Sequence, residues 1–470
     1  MSNAGNAQDL LLGSNTKTVI MSDRHNKIAF PPYSNKRFCQ RQRADIRVMK
    51  ILIVGHACAP GLGSEPGFTW NWAWHLSRTN QVWVIAHPEY KDRVDRFLAA
   101  QPNQRLNFIW ATPKSRFDYW TPGRDQERGI RLHYWLWMKE AYRQATRLYN
   151  EVHFDIVHHV SWSTIAVPPP FWKLPALAVW GPVGGGQSFP LPFVSHLRYH
   201  RIKEALRSLN LILLPFSPKL HRSLAAADLV LATNYETKEL LERAGGKRIK
   251  LFLDCGIDRR LTAPSPRTPG NQITLLWAGR LEPQKGLAIA LRALAECTYR
   301  EIRFLVAGSG TEQTEMKSLT RSLGLNDRVE FLGRVPHETM TALFQSCDAF
   351  VFTSLRDSFG SVVLEALSNG LPVIALNHQG MRAFVPEDAS IKVSVESPEQ
   401  VINDLARAFE AFAATPERRP AMSRAALAFA EEQTWTRRAE MMNKLYAEVM
   451  NGATGHATEV VPGVPTHRSA

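Results

Sequence analysis

The sequence predicts an α/β protein with two doubly wound, Rossmann-like domains facing a central cleft, and three observations carry that prediction. The first is a series of short apolar runs at residues 51–54, 82–86, 106–110, 156–160, 177–180 and 229–232, with longer helical stretches between them. Continuous runs of that length read as strands buried on both faces, and alternation with helices makes their sheet parallel. The second is a repeat of the same pattern at residues 273–278, 302–307, 329–332, 349–352, 372–375 and 391–395. The third is the proline-dense stretch 262–270 between the two series, which reads as a surface linker. Residues 48–261, joined by a returning C-terminal helix at about 434–450, are expected to form the first domain, and 271–433 the second. Ligands are expected in the cleft, at the carboxyl ends of the strands.

Each part of the chain has its place in that frame. A length of 470 residues suits two domains of ordinary size. With 44% hydrophobic and 21% charged residues the chain is a globular one. Residues 1–47 are polar and basic (Arg24, Lys27, Lys36, Arg37, Arg41, Arg43, Arg47) without any sustained period, and read as a disordered tail, as do 451–470. Met49 opens a strand-like run and is an alternative start. The alternative use of the basic tail is as an arm for an anionic surface.

A net charge of +14 favours anionic partners, such as nucleotides, anionic lipid or phosphorylated acceptors. No nucleic-acid module is recognisable, so nucleic acid is not an expected partner. Five scattered cysteines, never in CxxC spacing, fit a reducing compartment and give neither a disulfide framework nor a zinc site. No apolar run reaches the roughly 18 residues of a membrane span. The expected location is cytoplasmic.

The strongest chemical signal runs from Ser354 to Ala375. A strand ends in a loop holding Asp357, Phe359 and Gly360, and a helix begins near Ser361. Gly360 allows a ligand to approach the backbone. The unpaired N–H groups of Ser361 and Val362 make an anion site. Glu365, one turn inside the helix, can accept hydrogen bonds from a diol such as a ribose, and Asp357 can hold sugar hydroxyls. The second signal is the segment Trp277 to Gly286, with Gly279, Arg280 and Lys285 on a strand-to-helix loop. Two cations there can neutralise a diphosphate leaving group without a metal.

These two segments resemble the C-terminal half of the retaining glycosyltransferase family 4, the "glycosyl transferases group 1", which has the GT-B fold. Gly279, Arg280, Lys285 and Gly286 match its Gly-Arg…Lys-Gly pair, and Asp357-x7-Glu365 matches its Glu-x7-Glu motif. The likeness spans about residues 49–446. It implies that Arg280 and Lys285 bind the donor diphosphate, that Glu365 holds the ribose, and that Gly360, Ser361 and Val362 meet phosphate or sugar oxygens. It also implies that the loop ending in Arg334 and Val335 packs on the base, and that the glycine-rich loop with Gly61 and Gly63 approaches the transferred sugar. Asp357, Arg280, Lys285 and His158 are the catalytic candidates. The nucleotide sugar is a substrate, and neither a cofactor nor a metal is expected; no Asp-x-Asp occurs. Transfer is expected to go with retention to a carbohydrate or lipid-linked acceptor, in polysaccharide or glycolipid synthesis.

Two departures stand out. Asp357 is one methylene shorter than the family's Glu. His158 matches the first residue of the family's His-x-His, but Val160 occupies the second place. A second glycine loop, Gly184–Gly186, is read as a tight turn or as an acceptor contact. Trp70, Trp72 and Trp74 read as packing, since a spacing of two does not make one helical face. Ile202, Leu206, Leu209 and Leu213 share a helical face flanked by Arg198, Arg201, Lys203 and Arg207. That face is expected to pack on the sheet. Its alternative is an interfacial helix on anionic lipid, with the enzyme peripheral at the inner face of the membrane. Competing functions are a non-catalytic nucleotide-sugar-binding subunit and a nucleotide-sugar epimerase or hydrolase on the same fold. A sugar phosphorylase lacks a candidate cofactor lysine. A dinucleotide oxidoreductase is disfavoured because Gly67 falls one place late for its fingerprint.

Overall fold

A computed structural model describes residues 48–114, 118, 120, 129–160, 162, 164–258 and 272–452. The predicted tail 1–47, the linker 262–270 and all of the predicted tail 451–470 but its first two residues lie outside the described residues.

Each run read as a strand is one. The first sheet contains β1 (Lys50–Val54), β2 (Gln81–Ala86), β3 (Leu106–Trp110), β4 (Ile156–His159), β5 (Leu177–Val183), β6 (Leu229–Ala232) and β7 (Ile249–Leu251). The second contains β8 (Ile273–Ala278), β9 (Ile302–Ala307), β10 (Val329–Gly333), β11 (Ala349–Phe352), β12 (Val373–Leu376) and β13 (Ser390–Val393). Strand β7 was not legible in the sequence. It has three half-buried residues at the sheet edge, too few for a periodic signal.

The sheets are parallel throughout, in the orders β3-β2-β1-β4-β5-β6-β7 and β10-β9-β8-β11-β12-β13. In both, the chain reverses direction across the sheet beside its first strand. The crevice opened there, between β1 and β4 and between β8 and β11, is where α/β sheets bind ligands.

Helices cover both faces of each sheet because the strands are apolar on both. Leu287–Glu296 and Pro398–Ala414 bury Ile289, Leu294, Leu405 and Phe409 against one face of the second sheet. Ser361–Ser368 and Arg419–Glu432 cover the other. Ser64–Leu76 and the C-terminal helix Trp435–Met450 share one face of the first sheet, where Trp72 meets Trp435 edge-on at 5.2 Å. Ile130–Val152 covers the opposite face. Trp70 stacks on Trp74 at 5.6 Å and Trp72 is fully buried, so the tryptophans pack the core. The four described cysteines, Cys58, Cys255, Cys297 and Cys347, are buried and unbridged.

The helix Arg201–Leu213 overturns an expectation. Its apolar face is not packed on the sheet: Ile202 is 76% exposed, Leu206 63%, Leu209 52% and Leu213 56%. The polar side turns inward instead. Glu204 is buried in an ion pair with Arg356, and Arg207 donates to the carbonyls of Gly185 and Gln187 at 3.3 and 3.4 Å. These contacts fix which face turns inward.

Candidate active site

The two loops that carry the sequence signals meet at the crevice of the second sheet. Strands β8 and β11 are neighbours, so their following loops, 279–286 and 353–360, emerge side by side. Hydrogen bonds lock them together. Leu355 N–H donates to Gln284 O at 2.8 Å, Thr353 Oγ1 to Lys285 O at 3.2 Å, and Trp277 Nε1 to Thr353 Oγ1 at 3.1 Å. Gly286 makes the fit possible. Its φ is +67°, and a Cβ there would lie 2.2 Å from Thr353 O. The result is an ion pair between Lys285 Nζ and Asp357 Oδ2, with side chains 20% and 24% exposed.

Around that pair lies a cleft of about 360 Å³. On the second-sheet side it is bordered by Gly279, Arg280, Lys285, Asp357, Gly360, Ser361 and Val362, all named from the sequence. Gly360, at φ +92°, turns the chain into the helix Ser361–Ser368, and a Cβ would strike the Phe352 ring at 2.8 Å. The first amides of that helix are therefore presented at the cleft. Arg280 is 70% exposed and pairs with Glu282 at 2.9 Å. Glu365 is half-buried one turn beyond the border. Arg334 is exposed and Val335 packs at the edge of the core, both off the border.

Three residues at the cleft carried no local sequence signal. Ser64 and Glu65 border it from the first turn of the helix that follows β1. Gly61 and Gly63 lie just upstream of them, off the border, and a Cβ on Gly63 would meet nothing. The third is Asp254, in the segment after β7, 8% exposed. Burial first, and the Asp357 charge second, push its carboxyl up to about 6. A folded-state pKa above the unfolded value means the native state holds that proton more tightly. The associated stability is full below about pH 4 and is lost as pH rises through about 6. Asp254→Asn is expected to narrow the difference in thermal midpoint between pH 5 and pH 8. Scans of both proteins at the two pH values check this, and an unchanged difference contradicts it.

His158 is corrected by the structure. It is wholly buried. Its Nε2–H donates to Gly181 O at 2.5 Å and its Nδ1 accepts from the Tyr446 hydroxyl at 2.7 Å. Burial pushes its pKa down to about 4. Both nitrogens are engaged, so the ring is a neutral brace between β4, β5 and the C-terminal helix rather than a catalytic group. His159 is also buried, stacked on Phe171 and 3.3 Å from the Tyr134 hydroxyl.

The loop Gly184–Gly186 packs against the second-sheet loop. A Cβ on Gly184 would lie 2.3 Å from Ser358 Oγ, and Gln187 Nε2 donates to that hydroxyl at 3.3 Å. Gln379 adds another crossing. Its side chain accepts from Asp357 N–H at 2.7 Å and donates to Ser188 O at 3.2 Å, with φ at +49°. It thus fixes the backbone of Asp357 against the first-sheet loops.

A comparison with known families places residues 258–428, which include both signal loops and the ion pair, under the model for "Glycosyl transferases group 1". Over these residues the chain is similar to the glycosyl transferases group 1. A D-inositol 3-phosphate glycosyltransferase of Saccharomonospora viridis is 31% identical over 203 residues, 41% of this chain and 46% of that protein. The chain spans about half the length of the curated relatives it matches. Solved structures extend the likeness in fold. Sucrose-phosphate synthase from Thermosynechococcus elongatus superposes with a TM-score of 0.59 at 17% identity, covering 86% of this chain and 100% of that one. Anabaena HepE in complex with UDP and glucose gives 0.54 at 18% identity, covering 85% and 100%. The chain has the GT-B fold.

Proposed function

We propose that this protein transfers a sugar from a nucleoside-diphosphate sugar to an acceptor hydroxyl, with retention and without a metal in the donor site. The observation that carries the reading is the Lys285–Asp357 pair, held where the β8 and β11 loops meet at the N-terminus of the helix Ser361–Ser368. That arrangement sets a cation and unpaired backbone amides beside each other at one end of the cleft, with carboxylates close by. A diphosphate needs the former and sugar hydroxyls need the latter. The relatives and fold neighbours named above include a glycosyltransferase and a protein holding UDP and glucose, which supports the donor class.

In this reading Lys285 and the amides of Ser361 and Val362 take the charge that builds on the departing diphosphate, and Arg280 exchanges Glu282 for a phosphate oxygen. Asp357 and Asp254 accept from sugar hydroxyls, and Glu365 holds the ribose. The acceptor oxygen approaches the anomeric carbon from the face the diphosphate leaves. Its proton passes to a phosphate oxygen as the old C–O bond breaks and the new one forms. No histidine acts as base, in keeping with the buried His158. The anomeric configuration of product, read by proton NMR, tests this directly. An axial donor giving an axial product is expected, and an inverted product sinks the mechanism.

The acceptor side carries a second element of the proposal. No helix among the described residues is long and apolar enough to cross a membrane. The helix Arg201–Leu213 and the turn after it expose Ile202, Leu206, Leu209, Ile212, Leu213 and Phe216, with Arg201, Lys203, Lys219 and Arg222 exposed around them. An apolar stripe rimmed by cations suits an anionic lipid surface, and so a lipid-linked acceptor in glycolipid or polysaccharide synthesis, at the cytoplasmic face. Flotation with phosphatidylglycerol vesicles at low salt is expected to carry the protein. Leu206→Glu with Leu209→Glu is expected to abolish it, and salt to weaken it. Equal flotation of the double variant contradicts lipid docking.

A further inference from the structure

A second cluster of chemistry-bearing side chains lies outside the donor cleft, and the group 1 resemblance assigns it nothing. His56 follows β1 and His87 follows β2. The parallel register of these strands brings them together, with His87 N–H donating to His56 O at 2.8 Å. His133 enters from the first turn of the helix Ile130–Val152. All three are buried, at 6%, 6% and 2% exposure. One ring nitrogen of each lies within 4.8 Å of the others.

The ring nitrogens converge. His133 Nδ1–H donates to Asp118 Oδ2 at 2.8 Å, which turns the lone pair of His133 Nε2 into the cluster. There it accepts from His56 Nε2–H at 3.0 Å, a proton that a bound cation would replace. Two imidazole nitrogens on one tetrahedral zinc, each about 2.0–2.1 Å from the ion, stand roughly 3.3 Å apart. The pair thus needs to open only slightly. His87 stacks on His56 with ring centres 5.1 Å apart and crosses His133 at 5.0 Å. Its Nδ1 accepts a long contact from Glu89 N–H at 3.3 Å, which can be exchanged for a metal bond. A carboxylate on the far nitrogen of a ligating histidine is the usual outer support of such sites. Two indole N–H groups, of Trp120 and Trp137, have no acceptor among the described residues and belong to rings packed on the cluster, with ring centres 4.2 Å from His133 and 5.0 Å from His56.

We propose that His56, His87 and His133 form a site for one first-row divalent cation of the zinc class, with Asp118 orienting His133. Imidazole ligands in a dry aromatic surround select that class over magnesium or calcium. The ion would tie the ends of β1 and β2 to the helix Ile130–Val152. Tyr134 packs on His56 with ring centres 5.8 Å apart. The proposed ion is separate from the donor diphosphate, whose charge falls to Lys285 and Arg280.

The test uses tag-free full-length protein, stripped with chelator and titrated with Zn²⁺ against a chromophoric indicator and with Co²⁺ by visible absorption. One equivalent is expected to bind, with a cobalt spectrum of low coordination number. X-ray absorption of the zinc form is expected to show three imidazoles at about 2.0–2.1 Å. Asp118→Asn, which keeps the side-chain shape, is expected to lower affinity about 10–100-fold, and His133→Ala to abolish stoichiometric uptake. No stoichiometric binding by wild type overturns the proposal. So does an oxygen-dominated zinc shell, or uptake unchanged by both substitutions.

Discussion

Lys285→Ala is expected to lower kcat by about 10²–10³-fold, the loss typical of removing one preorganised donor to a developing anion. The effect should be large because the lysine does not stand in open solvent. Its side chain is four-fifths buried, its backbone is fixed by Thr353, and its loop is hydrogen-bonded to the loop that carries Asp357. A charge so held needs little reorganisation when a diphosphate departs. Lys285→Arg keeps the charge, but a planar fork replaces a compact ammonium, so it should restore only part of the rate. If the lysine were merely neutralising Asp357, Asp357→Asn would rescue Lys285→Ala. The account predicts no rescue. Steady-state kinetics on the single and double variants decide between these.

The largest stability effect is expected at Arg438→Ala, about 3–5 kcal/mol by denaturant unfolding. Arg438 is 2% exposed and sits in the C-terminal helix. It donates to Leu253 O and to Gln433 Oε1, the latter at 2.7 Å, and stacks on Phe252 at 4.4 Å. Burial pulls its pKa down to about 10, while the Asp254 charge opposes that shift. Truncation leaves a buried carbonyl and a carboxyl without their cation and opens a cavity under Trp72 and Phe252. Arg438→Met, which fills the volume without the charge, should recover part of the loss. A midpoint within error of wild type for the alanine variant contradicts this view of the helix as an anchored element.

What was legible in the sequence was what is local in the chain. The strands of both sheets announced themselves because residues such as Ile51, Ile53, Phe350 and Phe352 are apolar on both faces. Lys285, Asp357 and Ser361 were legible because each lies within a few residues of a strand end. The structure then put them together through the adjacency of β8 and β11. Asp254 and Gln379 were not legible. Nothing near them in sequence marks a site, and only the strand order brings Asp254 to the cleft and Gln379 to the backbone of Asp357. The same holds for His56, His87 and His133, which only the pairing of β1 with β2 and one helix bring together. The period of the helix Arg201–Leu213 was read correctly, but period alone cannot say which face turns inward. The answer lay in Arg356, more than a hundred residues away. His158 misled for a related reason: its motif position matches, but Tyr446 from the returning helix closes over it.

The central claim is that the cleft around Lys285 and Asp357 binds a nucleotide-sugar donor. The most direct measurement is calorimetric titration of a nucleotide-sugar panel, in chelator, into wild type and Lys285→Ala. The account predicts that one base class binds to the wild type without metal and that affinity falls at least about tenfold in the variant, since hydrogen bonds to charged groups contribute about 1.5–3 kcal/mol. No binding across the panel, or equal binding by both proteins, would contradict it.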